Sequence, residues 1–155
     1  MIEEYNLSFL DLDKIKQILL KIKLEDHGLL TKGKSTFNYG MPILMYPELK
    51  GIYLILKQYV RLYCSRHDIP KLKFINSWFN VSEPGNKLKA HDHGETGLSG
   101  AFYVSVGKDS VPLSFPDSKI KPYPGLLIIF PSNMTHYTEE EKEQRIVISF
   151  NTDYA

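Results

Sequence analysis

Cysteine is almost missing from this chain. Cys64 stands alone among 155 residues, so no intrachain disulfide can form, and a reducing cytosol fits. Long apolar runs are missing too: none approaches the roughly 20 residues needed to span a bilayer. The start, Met1-Ile2-Glu3-Glu4-Tyr5, is acidic where a secretory signal is basic and then apolar. Nor is there an excess of one charge. Nineteen Lys and Arg face 18 Asp and Glu, a formal net charge of +1, which leaves no electrostatic footprint for long nucleic acid. Internal repeats and low-complexity tracts are absent. A hydrophobic fraction of 43% with 24% charged residues is that of a soluble globular protein. The expectation is one cytoplasmic domain over residues 1–155, large enough to bury a core without disulfide or metal staples.

The first half reads as helical and the second as strands. Asp11 or Asp13 can cap a helix whose apolar residues Ile15, Ile18, Leu19 and Ile22 share one face. Lys14, Lys16, Lys21 and Lys23 cover the rest as a solvated surface. Thr31 to Tyr46 reads as loop with room for a short strand. Pro47 suits the first turn of a second helix, in which Leu49, Ile52, Tyr53, Leu56, Val60 and Tyr63 repeat at helical spacing to about Ser65. His27 and His67 lie near helix ends, where a surface or capping role is expected. From Phe74 the period changes to that of strands: Phe74 to Val81, Lys87 to His93, Leu98 to Val106, Val111 to Phe115, Leu126 to Phe130 and Arg145 to Thr152. Glu83-Pro84-Gly85-Asn86 reads as a turn and Glu139 to Glu143 as a solvated charged loop. Helices followed by many short strands predict an α+β chain whose sheet part is a sandwich or barrel.

Chemistry concentrates in three histidines. His91 and His93 are separated by one residue, so in extended chain they point to one face while Asp92 points to the other. His136 follows the apolar run that ends in Phe130-Pro131. Neutral imidazole is the commonest transition-metal ligand, and Fe, Zn, Ni and Cu all accept it. The spacing therefore predicts a metal site built from His91, His93 and His136. The period-2 geometry favours His93 over Asp92 as the second ligand. Glu95 rejoins the same face only if the strand stays extended through Gly94. The bland alternative is an exposed hairpin carrying the pair, a loop histidine at 136, and Arg145 paired with Glu141 or Glu143.

These segments, taken in order, resemble the 2-oxoglutarate–Fe(II) oxygenases, in a small-protein branch found in bacteria and marine phages. The segments are Ser77-Trp78-Phe79-Asn80-Val81, His91-x-His93 before Leu98-Ser99-Gly100, Phe102-Tyr103-Val104, Leu126 to Pro131, His136, and Arg145 to Asn151. They cover about half of the chain. The resemblance implies N-terminal helices packed on a double-stranded β-helix (jelly-roll) core with the metal at one mouth. It implies Fe(II) held by His91, His93 and His136, and 2-oxoglutarate as cosubstrate, its distal carboxylate gripped by Arg145. A hydroxyl of Tyr103 or Ser149 would share that carboxylate, and Asn80 would line the pocket. The implied activity is a dioxygenase, by expectation a hydroxylase, coupling decarboxylation of 2-oxoglutarate to oxidation of an organic substrate by O2. One departure stands out: most of the wider superfamily carries His-x-Asp, whereas His-x-His leaves the site one negative charge short.

Two other functions compete. A cupin-like three-histidine metalloenzyme would not use 2-oxoglutarate, and Pro131 to His136 is reminiscent of the second cupin motif. Against it, Glu95 comes too early for the expected glutamate, Gly97 and Leu98 stand in its place, and Arg145 would lack a role. Jelly rolls also serve as pure binding modules. Substrate contacts would come from loops such as Lys32 to Tyr46, Glu83 to Lys89 and Asp117 to Tyr123, whose sequences carry no readable code.

Overall fold

The computed structural model of the protein describes residues 1–26, 28–37 and 41–155. His27 and residues 38–40 of the predicted loop lie outside this set. The chain is mostly β-sheet with two helices. Strand β1 (Glu3–Asn6) leads into α1 (Leu12–Leu19), the short strands β2 (Glu25–Asp26) and β3 (Gly33–Ser35), and α2 (Lys50–Arg66). Then come β4 (Leu72–Ser82), β5 (Leu98–Ser105), β6 (Leu113–Phe115), β7 (Ser118–Ile120), β8 (Leu126–Pro131), β9 (Tyr137–Thr138) and β10 (Arg145–Tyr154).

Local signals account for both helices. Asp11 caps α1 by accepting a hydrogen bond from the Lys14 amide at 3.1 Å, satisfying one of the donors that a helix start leaves open. Helix α2 follows a single 3₁₀ turn begun by Pro47, whose fixed φ and missing N–H suit that place. It buries Leu56, Val60, Tyr63 and Cys64. At its C-terminal end the His67 amide donates to Tyr63 and its ring meets Glu3 at 2.7 Å, so His67 does act at the helix end.

Among the described residues, seven strands form one antiparallel sheet in the order β1-β8-β5-β10-β4-β3-β2 and three form a second, β7-β6-β9. Alternation along the central strands gives the large sheet two different faces. Phe102 and Val104, Leu127 and Ile129, and Ile146 and Ile148 point to the helices, where they join Ile15, Leu19, Leu56, Val60 and Tyr63 in the larger core. Ala101, Tyr103, Ile128, Phe130 and Val147 point the other way, against Leu113, Phe115 and Ile120 of the small sheet. Gly100, opposite Phe150 in register, makes room for that ring: a Cβ there would stand 2.1 Å from it.

The sequence reading is corrected in three places. The first half is not purely helical, since β1 and β2 also lie there, and β7 and β9 were unforeseen as strands. Residues 87–93 form no regular strand but only isolated bridges, Leu88 to Leu30 and His91 to His136. The reason is local: the hydroxyls of Thr31 and Thr138 accept from the amides of Lys87 and Leu88, replacing carbonyl partners that a ladder would supply. The acidic run is not wholly solvated either, because Glu141 is buried.

Candidate metal centre

The three histidines meet where the irregular segment 88–93 runs beside the β8–β9 connection. The His91 amide donates to the His136 carbonyl at 3.1 Å, the His136 amide returns the bond at 3.0 Å, and the His93 amide donates to Ser132 at 2.8 Å. The backbone thus fixes all three Cα positions before any ligand arrives. Their candidate donor atoms lie within 4.8 Å of one another. Asp92 also borders the histidines' cavity, but its Oδ1 accepts from the Gly94 amide at 3.1 Å and it is not part of the three-ring cluster. Gly94 has φ +106°, so the chain does not stay extended and Glu95 is exposed.

Hydrogen bonds set the tautomers. Nδ1 of His91 lies 2.7 Å from the Lys89 carbonyl and Nδ1 of His136 lies 3.0 Å from that of Met134. A carbonyl only accepts, so each Nδ1 carries the proton and each Nε2 presents a lone pair, the arrangement that orients metal-ligating imidazoles. Nε2 of His93 and Nε2 of His136 are 3.2 Å apart. That is the spacing of two nitrogens about 2.1 Å from one centre at roughly a right angle. Burial drives the His93 pKa down to about 3, with the neighbouring His136 and His91 adding repulsion. Burial likewise holds His136 at about 4. Both rings are therefore neutral near pH 7, the form that binds a metal.

The histidines open into a cavity between the two sheets. His91, His93, His136, Arg145, Tyr103, Ser149 and Asn80 all line it, so every residue singled out in the sequence borders one space. Arg145 is 4% exposed. Its Nη1 donates to Oε2 of Glu141 at 2.7 Å, while its Nε is buried without a hydrogen-bond partner among the described residues. The bland alternative had foreseen this ion pair, but it had also foreseen exposed, separated histidines. Tyr103 is fully enclosed. Burial pushes its hydroxyl up to about 12, with Glu141 raising it and Arg145 opposing, so at neutral pH it stays a hydrogen-bond donor. Oδ1 of Asn80 is buried without a hydrogen-bond partner among the described residues. The wall near the histidines is aromatic: Phe37 stands edge-on to Trp78 at 4.8 Å, and Trp78 lies 5.7 Å from the His93 ring. Sequence reasoning did not single out Phe37, which lines the cavity, or assign a site role to Glu141, which does not line it but holds Arg145. A carboxylate four residues before an arginine was the one signal for Glu141, and Phe37 was signalled only through the loop Lys32 to Tyr46 that carries it.

Residues 76–121 match the family described as "Putative 2OG-Fe(II) oxygenase". No curated protein sequence matches the chain. Among solved structures, the chain is similar to the viral collagen prolyl hydroxylase of Paramecium bursaria Chlorella virus-1 in complex with 2-oxoglutarate. The TM-score is 0.73 at 19% identity, covering 99% of this chain and 96% of that one. It is similar to a prolyl-4-hydroxylase of Pseudomonas putida, with TM-score 0.70, 15% identity and coverage of 99% and 92%. It is also similar to HygX of Streptomyces hygroscopicus with nickel, 2-oxoglutarate and hygromycin B bound, with TM-score 0.72, 11% identity and coverage of 99% and 83%. The fold is thus that of 2-oxoglutarate–Fe(II) oxygenases. No described helix is long and apolar enough to cross a membrane.

Proposed function

We propose that residues 1–155 form a single-domain, cytoplasmic Fe(II)- and 2-oxoglutarate-dependent oxygenase, by class a hydroxylase, on a double-stranded β-helix core. The observation that carries the reading is the convergence of three preset imidazoles and one buried arginine on the same enclosed space. His91, His93 and His136 would hold Fe(II). The site fits the ion by donor chemistry: two Nε2 lone pairs are aimed by backbone carbonyls, and a third ring lies within reach. When bound, the iron supplies the redox chemistry that couples O2 and decarboxylation of 2-oxoglutarate to substrate oxidation.

The remaining steps belong to the protein. Arg145 binds the distal carboxylate of the keto acid, and its burial strengthens that contact by excluding water. Tyr103, protonated, and Ser149 are hydroxyl donors for the same carboxylate. Asn80 orients what lies between. Trp78 and Phe37 give the histidine end an uncharged wall, so an organic substrate meets apolar rather than ionic surface there. The cupin-like reading leaves Arg145 without a function, whereas here the arginine borders the cavity with an unpaired donor.

The test is direct. Purified protein with Fe(II), ascorbate and 2-oxoglutarate should form succinate, and His136→Ala should abolish it. Succinate formed at the wild-type rate by the variant rejects the assignment.

A further inference from the structure

We infer that Glu141 is a positioning residue for the distal-carboxylate site: it occupies Nη1 of Arg145 and turns the Nε–Nη2 edge toward the cavity. The inference rests on the 2-oxoglutarate reading above and adds a residue to it.

Glu141 is held from all sides. Its Oε2 accepts from Arg145 Nη1 at 2.7 Å and from the Ser110 hydroxyl at 2.8 Å. Its Oε1 accepts from the amides of Val111 at 3.2 Å, Lys142 at 3.0 Å and Glu143 at 3.4 Å. The side chain is 0% exposed and that of Arg145 5%. A carboxylate ringed by donors in this way has one geometry, so the guanidinium bound to it has one too. A guanidinium offers two-point donation along its Nη1–Nη2 end or its Nε–Nη2 side. Glu141 consumes the first. The second is left with a buried Nε that has no partner among the described residues, in a residue that borders the cavity. A buried donor left without a partner destabilises the site, and an incoming carboxylate would satisfy it.

The same partner list predicts what Glu141→Gln does. Three backbone N–H groups face Oε1, so the amide oxygen of the variant must take that side. Its NH2 then faces Arg145 Nη1, donor against donor, while the Ser110 hydroxyl can rotate to accept from it. The substitution displaces the guanidinium and leaves the loop bonds in place.

Trp78 is the sole tryptophan and lines the cavity, so its fluorescence reports keto-acid binding without turnover. In Mn(II)-loaded protein, 2-oxoglutarate and pyruvate share the keto-acid head, and pyruvate lacks the distal carboxylate together with the methylene that carries it. Wild type should prefer 2-oxoglutarate. In Glu141→Gln that preference should fall at least tenfold, with pyruvate and Mn(II) affinity within twofold of wild type. A preference that is unchanged or increased overturns the inference. If the variant does not fold, Ser110→Ala removes one partner of Oε2 and keeps the charge. It should lower the preference two- to fivefold, and no change in it overturns the inference equally. A wild-type protein that binds 2-oxoglutarate no better than pyruvate refutes the cosubstrate reading itself.

Discussion

At the scale of residues, the division of labour among titratable groups makes two predictions. Arg145 and His136 border one cavity, and in the proposed reading they serve different ends of a keto acid. Arg145→Ala should therefore raise the 2-oxoglutarate concentration needed for half-maximal succinate formation at least tenfold, while iron content, measured by metal analysis, stays near one per chain. Equal loss of both would make Arg145 purely structural. The second prediction concerns the metal-free protein. His93 and His136 are held neutral in the fold, at about 3 and about 4, against an ordinary value near 6.5. Above pH 6.5 neither state binds the proton and stability is unaffected. Below it the unfolded chain takes up protons that the fold refuses, so stability falls as pH drops from about 6.5 towards 3. The loss should be on the order of a few kcal/mol, measured by urea unfolding at stepped pH. His93→Gln should flatten part of that slope.

At the scale of elements, legibility followed length and self-sufficiency. Helix α1 announced itself through Asp11 and the Ile15–Leu19 stripe, and α2 through Pro47 and six apolar residues at helical spacing, because caps and periodicity are local signals. Strands β4, β5, β8 and β10 were legible as runs of branched and aromatic residues. Strands β2 and β9 have two residues each, and their order comes from partners distant in sequence, so no window of sequence contains the cause. Segment 87–93 fails as a strand for a related reason: the threonine hydroxyls that cap its amides come from positions 31 and 138. The clustering of the three histidines was legible because His91 and His93 are two apart in sequence, a spacing that keeps their rings close even without a regular ladder. The cradle around Glu141 was not, since Ser110 and Val111 reach it from the β5–β6 connection, 31 and 30 residues away in sequence. Gly100 offers a test at this scale. A methyl at that position collides with the Phe150 ring, which sits fully buried under the helices. Gly100→Ala should cost about 1–3 kcal/mol, read as a lower urea midpoint at unchanged slope. Gly100→Ala with Phe150→Leu should recover part of it.

At the scale of the whole molecule, the two faces of the large sheet carry different burdens. The helix face is largely apolar and carries the larger hydrophobic cluster, at about 1.5–3 kcal/mol for each fully buried large side chain. The cavity on the opposite face is bordered by an arginine and a tyrosine of the sheet and by three imidazoles beside it, with Arg145 Nε and Asn80 Oδ1 unsatisfied among the described residues, and so stability is given up there. A cation bound there joins residues 91 and 93 to residue 136, tying the irregular segment to the β8–β9 connection. Since the unfolded chain has no such arrangement, metal binding should add directly to the free energy of folding. At 100 times its dissociation constant a divalent ion contributes about 2.7 kcal/mol. For a domain of this length that corresponds to a rise in Tm of roughly 5–11 °C. Differential scanning calorimetry with Mn(II), Fe(II) under anaerobic conditions, or EDTA should show this shift in wild type. His91→Ala, His93→Ala and His136→Ala should each lose most of it, and Asp92→Ala should retain it, because the Asp92 carboxylate is engaged by the Gly94 amide and stands outside the cluster of three rings. A shift that survives loss of the histidines but not of Asp92 would relocate the metal to a His-x-Asp set and withdraw the three-imidazole centre.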